Sequence, residues 1–517
     1  MSDGTSSRPG TVAAAAARHA EVRPDRVAVE CEGRTVSFRE LHLRSNRTAH
    51  ALLASGVAPG SRVAHLGQDS EHFYDLLLAC AKTGAVLVPA DPRLTPGEVV
   101  HVLRDSDSEL LFAAPEQLAA VQGVLPALER LRAVVTVDPA APGGGAFLRW
   151  KAGSPDCGPG TAGGPGQPLA QLYTSGTTGR PKGVVLSQGS FWAIGDLLAR
   201  HGLDWLDWRE GDRALGVLPG HHVGGPWWFL QGFRAGAATV LARGFDARRV
   251  LELIRTGAVS ITLLVPSMLR ILLDEPEVRP ADFRGLRKVV YGGEPIPAPL
   301  LGRCLEVMGC EFAQIYGLTE TCAPAVCLPP ADHVAGGPRL RAAGRPFPGV
   351  AVQAVDERGE PVPDGRVGQL RISTPAVMDG YWRQPAETAR CLIDGWLYTG
   401  DAGHVDEDGY VYIRDRIKDV ILVAGENVYP AEVENALRRH PAVADAAVTA
   451  VPHQVRGEQV HAWVVPRPGE RPTPRELRGF LADRLADYKR PSAYTFVAEL
   501  PRNAGGKIMR RALRDRA

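Results

Sequence analysis

Between residues 37 and 112 the apolar positions switch repeatedly between helical and strand periods. Ser37 to Glu40 and Thr95 to Glu98 both read as S/T-x-x-E boxes that open helices, the second with Pro96 at the first helical position. Around them Arg62 to Leu66, Ala85 to Val88 and Glu109 to Ala113 are short apolar runs bounded by turn residues, which predicts strands. Such alternation calls for a largely parallel sheet covered by helices. The same patterning continues from about residue 168 to about residue 325, and a β-rich section with turn signals (DERGEPVPDG, DEDGY) follows to about Asp415. Beyond it, Pro430-Ala431-Glu432-Val433-Glu434 starts an amphipathic helix. An alternating strand over 444–451, a helix with Leu477, Phe480, Leu481 and Leu485 on one face, and a strand over 494–497 complete the pattern. The expected fold class is α/β: a large N-terminal domain of α/β subdomains with a β-rich section, residues 1–415, and a small mobile C-terminal α+β domain, residues 416–517.

Composition narrows the partners. The 517 residues, 44% of them hydrophobic, suit two to four domains. Lys+Arg (59) nearly cancel Asp+Glu (58), and no basic block is interleaved with aromatics, so a nucleic-acid surface is not expected. Apolar runs such as Leu76 to Ala81 fall far below the about 20 residues of a membrane helix. The N-terminus lacks a signal-peptide pattern, and eight cysteines without C-x-x-C spacing favour free thiols in a reducing compartment. A cytoplasmic protein acting on a small molecule is expected, with a homodimer as an allowed assembly. The Gly- and Pro-rich stretch from Pro139 to Pro168 reads as a mobile linker without chemistry. Only seven lysines stand against 52 arginines, so each lysine says something about its site.

The stretch YTSGTTGRPKG, Tyr173 to Gly183, resembles a phosphate loop but lacks the G-K-[ST] order of the G-x-x-x-x-G-K-[ST] motif. Thr174, Ser175, Thr177 and Thr178 supply hydroxyls, Gly176, Gly179 and Gly183 free backbone N–H groups, and Lys182 a mobile charge suited to a terminal phosphate. Further along come LPGHHVGG (218–225), YGGEP (291–295), QIYGLTE (314–320), GWLYTGD (395–401), RDRIKDVILVAGENVYPAEVE (414–434) and PRNAGGKI (501–508).

In this order the segments resemble the adenylate-forming superfamily of acyl-CoA synthetases, amino-acid adenylation domains and luciferases, over roughly residues 25–515. The resemblance implies that the loop grips the β- and γ-phosphates of ATP. It implies that Tyr316, beside Gly317, stacks on adenine with Gly292, Gly293 and Glu294 closing the other side, and that Thr319 bonds the α-phosphate. Glu320 would help hold magnesium, Asp401 would bind the ribose hydroxyls with Arg416 nearby, and Lys507 would reach the substrate carboxylate and α-phosphate. Lys418 would be the hinge about which the small domain turns between two half-reactions.

No acid follows Pro219 in LPGHHVGG, where amino-acid-activating relatives carry an aspartate, so an amino-acid substrate is not expected. His222 matches the histidine near the acyl carboxylate in acyl-CoA synthetases, and either it or His221 faces inward. Gly224, Gly225, Trp227 and Trp228 suit a hydrophobic acid. No extra segment separates Leu318 from Asp401, where VMDGYWRQPAETA runs straight into GWLYTGD, and this favours CoA as acceptor. Two positions depart from common relatives: Ala424 replaces glycine before Gly425 on the pantetheine path, and Tyr291 and Glu294 replace smaller residues, which predicts a reshaped acyl and adenine floor. The expected activity is an ATP- and magnesium-dependent acid:CoA ligase. The alternatives are an enzyme performing one half-reaction or loading a carrier protein, and a silent nucleotide-binding protein. No G-x-S-x-G elbow supports a hydrolase.

Overall fold

The computed structural model describes residues 10–141, 145–160, 163–174, 181–423, 426–453, 457–502 and 508–516. Among them the strands form four sheets. A nine-stranded sheet runs in the order Arg345–Pro346, Ala323–Leu328, Glu311–Leu318, Lys288–Gly292, Ile261–Leu264, Arg213–Gly216, Ala238–Leu241, Val27–Cys31, Arg34–Ser37. A seven-stranded sheet runs Gly380–Tyr381, Lys182–Ser187, Pro168–Thr174, Val86–Ala90, Arg62–Leu66, Ser108–Ala113, Ala133–Thr136. The interior strands of both are mostly parallel, and helices such as Glu71–Thr83 and Gly224–Ala235 are buried in the main core. A five-stranded antiparallel sheet built on Gly368–Ser373 and Trp396–Val405 follows, and a last five-stranded sheet carries the C-terminal unit. No helix among the described residues is long and apolar enough to cross a membrane.

Local signals and structure agree where the physics is local. Ser37 caps the helix Phe38–Ala54 by accepting from the Glu40 N–H, and Thr95 and Glu98 form a reciprocal capping box with Pro96 in the first turn. The C-terminal unit has its own core, in which Val433 and Leu437 of helix Pro430–Leu437 meet Leu477 and Leu481 of helix Pro474–Ala482 over a sheet. Its longest pair, Val443–His453 with Gly457–Pro466, includes a strand the pattern did not suggest.

The Gly/Pro-rich stretch is a correction. Within 139–168 the segment Gly145–Trp150 is helical and docks: Phe147 is buried against His72 and Phe112, and Trp150 stacks on it with ring centres 6.0 Å apart. The Lys151 ammonium then ion-pairs with buried Asp75 and donates to Thr48 Oγ1 at 3.0 Å, while Thr48 donates to Asp75 at 2.7 Å. Phe147, Leu148 and Trp150 in AFLRWK outweigh the surrounding glycines, because burying them gives more than ordering the loop costs. Asp75→Ala strands a buried ammonium and is expected to lower stability by about 3–5 kcal/mol in chemical denaturation. A loss below about 1 kcal/mol is the value of a hydrated surface pair and would contradict this burial.

Candidate active site

The strand Glu311–Leu318 of the first sheet ends at the rim of a cavity of about 970 Å³. Tyr316 lies on that strand and donates its hydroxyl to Asp401 Oδ2 at 2.6 Å. Asp401 sits on Trp396–Val405 directly opposite Arg416 in the antiparallel register, and Arg416 Nε meets Asp401 Oδ1 at 2.8 Å while its Nη1 donates to the Thr399 carbonyl at 3.1 Å. Burial, then the Asp401 charge and hydrogen bond, hold the Tyr316 hydroxyl protonated far above its ordinary range. Gly293, with φ of +86°, turns the chain out of strand Lys288–Gly292, and a Cβ at Gly317 would lie 1.9 Å from the Ala323 carbonyl, so both positions require glycine. Gly293, Glu294, Tyr316, Gly317, Asp401 and Arg416 all line the cavity.

Tyr291 is buried and is not among the residues that line this cavity; its hydroxyl donates to Oε1 of Gln314, which does line it, at 3.0 Å and lies 3.1 Å from His333 Nε2. Glu294 does face the cavity: it accepts from the Ser267 N–H at 2.7 Å and lies 3.6 Å from Arg502 of the C-terminal unit. Arg502 also binds Asp445 at 2.6 Å, and Asp445 faces Arg270 of the large part at 3.6 Å. Burial pushes the Asp445 carboxyl up, but Arg438, Arg270 and Arg502 outweigh it and leave the group below the usual range.

The phosphate-loop hairpin has Thr174 and Lys182 as a facing pair at its base. Lys182 is buried, its ammonium 5.0 Å from the Tyr381 ring centre and bound to the Glu387 carboxylate. Thr319 and Glu320 occupy a single 3₁₀ turn, Thr319–Thr321, after Gly317. Glu320 accepts the Tyr381 hydroxyl at 2.8 Å, and its carbonyl accepts the Met378 N–H at 2.8 Å. Cys322 and Ala323 follow with φ of +48° and +79°, a left-handed pair without glycine that costs about 1–3 kcal/mol per residue and is held by the surrounding sheet. Tyr381 and Glu387 are the residues the sequence reading missed. The strand Gly380–Tyr381 pairs with Val184 and Val185, and only that long-range pairing brings MDGYWRQPAET to the lysine. The one local sign was an acid in the first turn of a helix starting at Pro385.

The two histidines diverge. His221 turns inward, its Nε2 3.5 Å from Asp91 Oδ2, and burial pushes its pKa down to about 4 despite that carboxylate. His222 is exposed. Gly224 and Gly225 open the helix Gly224–Ala235, and Trp227 and Trp228 on it are both 2% exposed; Trp228 donates to the Leu215 carbonyl at 3.0 Å and packs on Trp208. These two indoles belong to the core and not to the cavity wall described above. Ser175, Gly176, Thr177, Thr178, Gly179, Ala424, Gly425 and Lys507 lie outside the described residues, as does the side chain of Lys418, whose backbone lies in the turn Ile417–Asp419.

The family model described as AMP-binding enzyme matches residues 16–382, and that of the AMP-binding enzyme C-terminal domain matches residues 432–507. The chain is 54% identical, over 96% of its length and 95% of the relative's, to the fatty acid–[acyl-carrier-protein] ligase ScoC of Streptomyces coeruleorubidus. It is 37% identical to a feruloyl-CoA synthase of an Amycolatopsis species, over 96% and 97% of the two chains. Among solved structures, ATP-bound MatB from Rhodopseudomonas palustris superposes with a TM-score of 0.89 at 29% identity, covering 98% of this chain and 99% of that one. Apo MatB gives 0.78 over 98% of each chain at 29% identity.

Asp415 precedes Arg416 and ties the C-terminal unit to the β-rich section by accepting from the Ala431 N–H at 2.7 Å. Burial raises its pKa to about 6; Arg510 and the Ala431 hydrogen bond oppose the shift and Glu434 adds to it. The folded value exceeds the unfolded carboxylate value of about 3.9, so the folded state binds more protons between them and stability from this group falls as pH rises through about 6. Asp415→Asn removes that slope. Relative to wild type the variant is expected to gain about 1 kcal/mol between about pH 5 and about pH 7, read from apparent melting temperatures. An unchanged difference at the two pH values would mean that Asp415 is ionised throughout.

Proposed function

The chain belongs to the AMP-binding enzyme family and is an AMP-forming acid ligase, and on that premise we propose that its acid is a fatty acid and its acceptor the thiol of an acyl-carrier protein. The observation that carries the acceptor is the 54% identity to a ligase of that description over nearly the whole of both chains. The short connection between Leu318 and Asp401 does not speak for CoA once a carrier-loading relative aligns over 95% of its own length. CoA is the second reading, favoured by the 37% identical feruloyl-CoA synthase.

The residues fit a sequence of two displacements. A carboxylate oxygen attacks the α-phosphorus of ATP, the bond to the bridging oxygen of pyrophosphate breaks, and acyl-AMP forms. The thiol then loses its proton, attacks the acyl carbon and expels AMP. Asp401, fixed by Arg416 and Tyr316, offers a buried carboxylate to the ribose hydroxyls. Tyr316 and Gly293 flank the adenine, and Thr319 hydrogen-bonds the α-phosphate. Lys182 meets the terminal phosphates, and Lys507 supplies a cation where the carboxylate and α-phosphate converge. His221, neutral and turned inward, leaves His222 as the exposed histidine of the acyl side. Lys418 is the hinge between the parts that carry the two steps.

Magnesium fits this residue set. Among the described residues no three His, Cys, Asp or Glu groups converge. A carboxylate oxygen is the hard donor such an ion takes, and Glu320 is the residue that would hold it beside the nucleotide phosphates. When bound, the ion neutralises phosphate charge.

Exchange of labelled pyrophosphate into ATP, driven by fatty acids and not by aryl acids, followed by acylation of a phosphopantetheinylated carrier protein detected by mass, is the expected pair of results. Thioester on CoA with none on the carrier would reverse the choice of acceptor. Lys507→Ala is expected to cut the exchange about 10²–10³-fold. Transfer from supplied acyl-AMP is expected to stay within a few-fold of wild type, and equal loss in both assays would refute the role given to Lys507.

A further inference from the structure

Glu387 has no place in the scheme above, yet it holds the lysine of the phosphate loop. The segment from Met378 to Thr388 is strapped to the loop's second strand: Asp379 N–H donates to the Val185 carbonyl at 2.9 Å and Trp382 N–H to the Gly183 carbonyl at 2.7 Å. From this strap Tyr381 reaches Glu320, and Glu387 reaches Lys182. The Lys182 and Glu387 side chains are 11% and 23% exposed, so the pair is partly shielded from water. Arg390, on the same helix, binds the other carboxylate oxygen and keeps Glu387 turned toward the lysine. The hydrogen bond from Lys182, then its charge and that of Arg390, hold the Glu387 carboxyl below the usual range.

We propose that Glu387 is an internal stand-in for the terminal phosphates of ATP: its carboxylate occupies the Lys182 ammonium in the nucleotide-free enzyme, is displaced when the triphosphate enters, and recaptures the lysine as pyrophosphate leaves. The inference rests on the proposed phosphate role of Lys182. A carboxylate and a triphosphate that converge on one ammonium repel each other at close range, so phosphate binding at Lys182 works against this pair and favours its separation. The pair therefore weakens ATP binding, keeps the lysine side chain ordered between turnovers, and speeds departure of a product that otherwise binds its loop tightly. Glu387 acts through Lys182 and is a positioning residue.

Glu387→Gln keeps shape and removes charge. By titration calorimetry the variant is expected to bind Mg-ATP and magnesium-free pyrophosphate several-fold to about tenfold more tightly than wild type, with AMP, which has no terminal phosphates, bound equally by both. In steady state the KM for ATP should fall, and inhibition by added pyrophosphate should strengthen by the same factor. A purely structural role moves none of these selectively. Unchanged ATP and pyrophosphate affinity in a variant of wild-type melting temperature would overturn the inference while leaving the site reading intact. Weaker Mg-ATP binding would overturn it in favour of a metal-ligating carboxylate. A Glu387→Gln protein that does not fold would overturn it too, since it would make the carboxylate a requirement of the fold. Failure of wild type to bind ATP would overturn the site reading and this inference with it.

Discussion

One buried carboxylate joins the pieces from which the site is made. Asp401 is 3% exposed and is satisfied by Tyr316 from the nine-stranded sheet and Arg416 from the hairpin partner of its own strand. Removing either partner leaves a buried charge short of a hydrogen bond, which is far more costly than the pair is stabilising. Because Arg416 is also the last residue of its strand before the C-terminal unit, the same contact fixes where that unit begins relative to the cavity. Geometry around Asp401 is thereby set by strand register, and a register is hard to shift by one residue without turning every side chain over.

Lysine usage shows the same economy of position. Three of the seven lysines, Lys182, Lys418 and Lys507, fall in the motif segments; of the other four, Lys489 pairs with Glu432 at 2.9 Å and the remaining three are buried in the fold. Lys82 donates to Ser45 Oγ at 2.6 Å and Asn46 Oδ1 at 2.8 Å, and burial lowers its pKa to about 7. Lys151 rests on Asp75, and Lys288 on Asp207 with Glu311 at 3.2 Å. An ammonium has three donors to satisfy where a guanidinium has five in a rigid plane, so enclosed sites of this size keep lysine even in an arginine-rich chain. Scarcity of lysine therefore marked special sites, but it did not separate catalytic from structural ones.

What could be read from the sequence was what is decided locally. Capping boxes at Ser37 and Thr95, the strands Arg62–Leu66 and Ser108–Ala113, and the order of the motif segments all depend on residues close in the chain. Glu387 and Tyr381 were invisible because their partners, Lys182 and Glu320, lie 205 and 61 positions away and are met only through sheet pairing. The place of Tyr291 in YGGEP suggests the cavity floor; the residue is buried one layer behind, bonded to Gln314 of the cavity lining. In the Gly/Pro-rich stretch, glycine and proline counts hid the apolar payload of Phe147 and Trp150.

Away from the junction at Asp401, Asp415 and Arg416, the ion pairs between the two parts are modest, whereas each part inside is apolar. Arg270 with Asp445 and Arg502 with Glu294 meet at 3.6 Å, beyond good hydrogen-bond range, with both arginines about 30% exposed. Pairs of that kind are worth about 0–1 kcal/mol each. By contrast Val433, Leu437, Leu477 and Leu481 are fully dry inside the small unit. A unit held together by its own core, and held to its neighbour beyond the junction at Asp415 by a few long ion pairs, can turn about that junction without unfolding, which the proposed two-step chemistry requires of it. Glu294 acquires a meaning here that size alone did not suggest. It sits at the cavity rim and meets Arg502 at 3.6 Å, so the cavity lining of the large part and the C-terminal unit are linked there through one weak, easily broken pair.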